Sequence, residues 1–180
     1  MSKLKKINVV VISSRFNEDI VNNLYLGVER CFIDSALEVN IHRAFVPGAF
    51  ELPYMAKQFV DKDAKYSLKK SLEAAYSLAK VDCIITLGCI IKGETAHFEY
   101  ISNACSNTLA SLTLQSKIPI MFGVITAYDK DQAIARSETD FNSNKNLNIG
   151  YNVADAAIKT LLSLEDLKGN INLHYNLLKK

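Results

Sequence analysis

Of the side chains in this sequence that can move a proton, His97 has the most suggestive neighbours. It closes the run CIIKGETAH, Cys89 to His97, which also carries Lys92, Gly93 at a tight turn, the Glu94 carboxylate and the Thr95 hydroxyl. Imidazole is the side chain that gains and loses a proton near neutral pH. An apolar-periodic stretch follows from about Phe98 to Gln115, so the run leads straight into a helix. The first N–H groups of a helix lack internal partners and sit at the positive end of its dipole, a setting suited to a phosphate. Proton transfer beside a bound anion is therefore the chemistry on offer, and a capping or packing histidine is the bland alternative. Three other residues have two readings each. Phe16, in Ser14-Arg15-Phe16-Asn17, is a staple against the next helix or a shelf for a ring. Glu51, just past Pro47-Gly48, accepts hydrogen bonds from a ligand hydroxyl or helps to start its helix. Arg136 ends a short helical stretch, as a dipole complement or as a phosphate clamp.

These residues act together only if a scaffold gathers them. Ile7 to Ser13 (INVVVIS) is a nearly continuous β-branched run, as in a strand covered on both faces. Asn17 reads as the N-cap of a helix to about Ala36, with Glu18 and Asp19 in its first turn. Val39 to Val46 reads as a second strand, ended by Pro47-Gly48, and a helix carrying Met55, Ala56 and Phe59 begins near Leu52. Cys83 to Gly88 is a third strand and Ile118 to Thr126 a fourth. Asp129 caps a short helix over Gln132 to Arg136, and a last helix spans about Tyr151 to Leu164. Strands alternating with helices imply parallel pairing. The expected fold class is α/β, a three-layer α/β/α sandwich over a four-stranded parallel, flavodoxin-like sheet. Ligands of such sheets bind outside the carboxyl ends of the strands. Those ends are Ser14 to Asn17, Pro47 to Glu51, Cys89 to His97 and Thr126 to Tyr128.

Composition bounds the rest. The 180 residues are 49% hydrophobic and 22% charged, ordinary for one globular domain over residues 1–180. A net charge of +2 gives no support to a nucleic-acid partner. No apolar run approaches the ~18 residues that span a bilayer, and the start, MSKLKKINVVVISSRFN, lacks a cleavage signature. The expectation is a soluble, cytoplasmic protein with no membrane partner. Cys31, Cys83, Cys89 and Cys105 form no CxxC pair and sit in apolar patterns, so buried thiols are expected and a metal site is not. Fingerprints for dinucleotides and P-loop phosphates are absent. Two segments depart from the economical pattern. Asp61 to Ala79 reads as a charged helical insertion, continued by Leu68, Leu72, Ala75, Tyr76 and Ala79, and Ser137 to Ile149 reads as an exposed loop. The tail from about Lys168 is expected to be loosely held.

In order along the chain, ISSRFNEDI, VPGAFELP, TLGCIIKGETAHFEY, IPIMFGVITA and the QAIAR ending at Arg136 resemble the lumazine synthase family, over about residues 7 to 165. The resemblance implies a cofactor-independent transferase of riboflavin biosynthesis. Such enzymes condense 5-amino-6-(D-ribitylamino)uracil with 3,4-dihydroxy-2-butanone 4-phosphate to 6,7-dimethyl-8-ribityllumazine, with phosphate and water released. It implies that Phe16 stacks on the pyrimidine, that Ala49, Phe50 and Glu51 hold the pyrimidine substrate, and that Glu51 takes its ribityl chain. The backbone of Cys89, Ile90 and Ile91 would meet the uracil edge. Glu94, Thr95 and Arg136 would face the phosphate, with His97 as the catalytic proton carrier. Phe122 would line the pyrimidine pocket from a neighbouring subunit. The implied partners are small-molecule substrates, other copies of the chain and riboflavin synthase.

Departures from the family pattern carry their own expectations. After Arg136 many members have a Gly/Lys-rich stretch, where this chain has the longer SETDFNSNKNLNIG with acidic Glu138 and Asp140. Lys145 is the candidate replacement for a missing lysine. A longer connection here, with a short N-terminal arm, implies a homopentamer instead of a larger shell. A non-catalytic paralogue that binds a flavin or lumazine is the competing reading. It would keep Phe16 and Glu51 and lose the phosphate and proton groups, so the presence of His97 and Arg136 favours the enzyme. A flavodoxin-like response module would need an acidic cluster after the first strand, which Ser14-Arg15-Phe16 does not supply.

Overall fold

A computed structural model describes residues 6–69, 80–144 and 147–178, with side chains over 6–62, 80–143 and 147–168. Four strands, β1 (Ile7–Ser14), β2 (Val39–Val46), β3 (Cys83–Ile91) and β4 (Ile120–Ala127), form one parallel sheet in the order β2-β1-β3-β4. The helices are α1 (Glu18–Asp34), α2 (Leu52–Lys69), α3 (His97–Gln115), α4 (Lys130–Ala135), α5 (Phe141–Asn144) and α6 (Ile149–Leu178). A single 3-10 turn over Ala49–Glu51 precedes α2. The fold is the expected three-layer, flavodoxin-like sandwich.

The strand period of two divides the core into two halves. Val9 and Val11 of β1 join Ile85 and Leu87 of β3 beneath α1 and α6, with Leu24, Val28, Ala154 and Ala157 packed against them. Val10 and Ile12 point the other way, with Ile84, toward Leu52 and Ala56 of α2 and Cys105 and Leu109 of α3. β1 and β3 are covered on both faces, which is why they read as unbroken apolar runs. All four cysteines are buried in these elements. No helix among the described residues is long and apolar enough to cross a membrane.

Several boundaries differ from expectation. β3 does not stop at Gly88 but runs to Ile91, so Cys89, Ile90 and Ile91 are strand and not loop. Pairing with β4 holds them there, through Cys89 to Ile125 and Ile91 to Ala127. The stretch from Ser137 to Ile149 is not simply an exposed loop. It contains α5, and Ser137 and Asn148 are buried. The Asn148 carboxamide donates to the Asn23 and Glu138 carbonyls at 3.0 and 2.9 Å and accepts from the Tyr151 N–H at 3.1 Å. α6 continues well past Leu164, to Leu178. α2 carries the first part of the 61–79 segment as helix to Lys69. The side chain of Leu68, and Leu72, Ala75, Tyr76, Ala79 and Lys145, lie outside the described residues.

Candidate active site

Three strand-to-helix turns meet at the carboxyl edge of the sheet and enclose a cleft of about 670 Å³. The first turn presents Phe16, which is 71% exposed. A large apolar ring gains nothing from water, and this one lies along the cleft wall without being packed away. Its backbone is held from the second turn, since the Phe16 N–H donates to the Pro47 carbonyl at 3.0 Å and the Arg15 N–H to Val46 at 2.9 Å.

The second turn supplies Gly48, Ala49, Phe50 and Glu51. The Glu51 carboxylate accepts from the Gly48 N–H at 2.9 Å, closing the 3-10 turn from which α2 begins. A Cβ on Gly48 would stand 3.2 Å from the Glu51 Oε2, so the glycine makes room for the carboxylate. Both readings of Glu51 therefore coexist: it starts its helix and it borders the cleft.

The third wall is the end of β3 with the start of α3. Pairing between β1 and β3 ends at Ser13 and Leu87, while β3 runs on to Ile91. On that side the backbone of Cys89 to Ile91 has no neighbouring strand, and these residues border the cleft. The Cys89 thiol is buried, and burial pushes it up to about 11, so it stays protonated at neutral pH and is no nucleophile. Beyond Ile91, the Lys92 N–H donates to the Ala127 carbonyl at 2.9 Å.

Thr95 and His97 complete the lining, with Phe98 and Ile101 from the inner face of α3. The Thr95 hydroxyl accepts from the His97 N–H at a long 3.4 Å. Ala96 at the N-cap offers no side-chain acceptor, which leaves first-turn N–H groups open toward an anion. Gly93 has no positive φ, and a Cβ there would meet no atom within 4 Å. The turn that follows it therefore does not depend on glycine at this position. Lys92 spends part of its charge on Glu99, 3.4 Å away, and lies 5.6 Å from the centre of the Tyr128 ring. The imidazole of His97 is exposed and has no side-chain hydrogen bond among the described residues.

One chain thus brings together Phe16, Ala49, Phe50, Glu51, Cys89, Ile90, Ile91, Thr95 and His97. It does not bring in Glu94, Phe122 or Arg136. Glu94 is exposed beside the cleft without lining it. Arg136 is exposed at the C-cap of α4, its guanidinium unpartnered among the described residues. Phe122, 43% exposed, lines a separate groove between β4 and α3 with Leu109, Ala110 and Leu114. Among the described residues no cluster of three or more His, Cys, Asp or Glu side chains is arranged to hold a metal ion.

Sequence reasoning missed the role of Asn17. It occupies the N-cap position of α1, but its side chain does not cap. Its backbone is left-handed (φ 58°, ψ 45°), and its Nδ2 donates to the Cys89 carbonyl at 2.9 Å. Phe98 and Ile101 were legible in principle, as apolar residues spaced i, i+3 directly after His97. A family model described as 6,7-dimethyl-8-ribityllumazine synthase matches residues 6–165, a span that takes in all four strands and the whole cleft. The chain belongs to that family of riboflavin-biosynthesis transferases, which act on small-molecule substrates.

Proposed function

We propose that the chain is itself a catalytically active member, condensing 5-amino-6-(D-ribitylamino)uracil with 3,4-dihydroxy-2-butanone 4-phosphate to 6,7-dimethyl-8-ribityllumazine. The observation that carries this reading is the convergence of Phe16, Glu51, the open edge of β3 and His97 on one cleft. In this reading the pyrimidine ring lies on Phe16, its polar edge meets the Cys89 to Ile91 backbone, and the ribityl hydroxyls reach the Glu51 carboxylate. The phosphate sits over the N-terminus of α3 beside Thr95, with Glu94 facing it, and Arg136 and Phe122 join from elsewhere in an assembly.

The chemistry suits those groups. The 5-amino nitrogen attacks the ketone carbon and water leaves, giving an imine. Loss of the proton next to the former ketone carbon expels phosphate, and closure by the ribityl-bearing nitrogen releases a second water. Each step moves protons and none changes the overall oxidation level of the two reactants taken together. In this reading His97, which lines the cleft, carries those protons. Holding two reactants in register supplies the larger share of the acceleration, since effective molarities reach on the order of 10⁵ M or more.

Purified protein mixed with both substrates tests the reading. The expected result is growth of lumazine absorbance with one phosphate released per product. Saturable binding of the pyrimidine without turnover would replace the enzyme with a non-catalytic binder.

A further inference from the structure

We infer that Asn17 is a positioning residue for the aromatic shelf: it fixes Phe16 against the end of β3, and so sets affinity for the pyrimidine substrate. The inference rests on the reading above, in which Phe16 carries the ring. Two independent observations support it. First, Asn17 holds a left-handed backbone, a conformation that is unfavourable for most residues and that Asn tolerates better than most. At the N-cap its ordinary task would be to bond the first turn of α1, and it does not. Second, its carboxamide reaches across the chain to the Cys89 carbonyl, 2.9 Å away and 72 residues along.

That bond stands where a ladder bond would be if β1 continued. β1 leaves the sheet at Ser14 while β3 runs four residues past Leu87 to Ile91. The side chain of Asn17 takes over as the neighbour of β3 at Cys89, directly beside the backbone expected to read the uracil edge. The shelf is thereby fixed from two sides. The Phe16 N–H bonds the Pro47 carbonyl of the second turn, and the next residue bonds β3. Only the second of these ties runs through a side chain, so substitution can cut it alone. The left-handed turn at Asn17 also redirects the chain into α1 immediately after Phe16, which leaves the ring on the cleft side.

The test uses two variants of the full chain. Asn17→Asp keeps the shape, tolerates the left-handed backbone and sets a carboxylate at a helix N-terminus, where it is favourable. It removes the donor and turns an acceptor toward the Cys89 carbonyl. Asn17→Gly keeps the backbone at no steric cost, removes the donor and adds no charge. Loss of one half-buried hydrogen bond corresponds to roughly a 3- to 10-fold change. Both variants are expected to raise KM for the pyrimidine substrate by about that factor, to leave KM for the ketone phosphate unchanged, and to weaken the induced circular dichroism of bound ribityllumazine. Equal rises in both KM values, or a lowered Tm with no selective change, would reduce Asn17 to a structural residue and overturn the inference. Unchanged pyrimidine KM in a folded Asn17→Gly would overturn it too. Phe16→Ala runs in parallel to separate the levels. If it leaves pyrimidine binding intact, the reading of the shelf fails. If it weakens binding while the Asn17 variants do not, only the role of Asn17 fails.

Discussion

His97 and Arg136 make opposite demands on an experiment because the chain places them differently. His97 lines the cleft, so removing it should affect chemistry and spare binding. His97→Ala is expected to lower kcat by roughly 10²- to 10⁴-fold, the usual contribution of a positioned general acid–base, with measurable residual turnover. On the proposed reading the residue matters less than the geometry that survives it, since Phe16 and Glu51 would still hold the pyrimidine. Steady-state kinetics decide this, and total loss of turnover with pyrimidine binding intact would contradict it. Arg136 lies outside the chain's own cleft with an exposed guanidinium. Arg136→Ala is expected to raise KM for the ketone phosphate by about 10-fold or more, the scale of a lost charge-assisted hydrogen bond, with pyrimidine KM unaffected. An unchanged ketone phosphate KM would remove Arg136 from the phosphate site. At this scale Phe16, Glu51 and His97 were legible because they stand at strand ends, where an α/β sheet exposes its functional side chains. Asn17 was not. A cap and a long-range tie begin with the same residue type after the same strand, and only the backbone turn separates them.

Where α1 crosses α6 the two backbones come close together, and glycine makes it possible. A Cβ on Gly150 would stand 1.9 Å from the Leu24 carbonyl oxygen, and one on Gly27 would stand 2.0 Å from Asn148 Oδ1. Backbone cannot yield as a flexible side chain can. Gly150→Ala is therefore expected to destabilise the fold by about 1–3 kcal/mol or more, read as a lower Tm, and an unchanged Tm would show that the two helices have slack. The contact also concerns the site. The Ile149 N–H donates to the Arg136 carbonyl at 2.9 Å, and Asn148 grips the Glu138 carbonyl, so the start of α6 holds the segment that carries Arg136. Strands were easy to read from their β-branched runs, and α1 to α3 from their apolar spacing. The segment after Arg136 was not, because its Asn and Ser residues suggest a loop and nothing local distinguishes Asn148 as buried. The end of α6 was likewise illegible. The apolar spacing fades after Leu164, yet the helix continues to Leu178.

As a whole molecule, the chain holds an incomplete set of the expected groups. The cleft gathers Phe16, Glu51 and His97, the proposed shelf, ribityl acceptor and proton carrier, while Phe122 lies in a different groove and Arg136 projects from α4. Exposed Phe122 and Leu114 on that groove suit contact with another copy of the chain, the arrangement in which Phe122 would reach a neighbour's cleft. A homopentamer is the proposed assembly, so the sedimentation mass is expected near five times the 20.0 kDa of the chain, and a mass near a megadalton would refute it. The most direct test of the whole proposal is a crystal structure of the protein soaked with 6,7-dimethyl-8-ribityllumazine. The heterocycle should lie face to face on Phe16, with its polar edge at Cys89 to Ile91 and its ribityl chain at Glu51. Density for the ligand at any other place, with this cleft empty, would contradict the assignment.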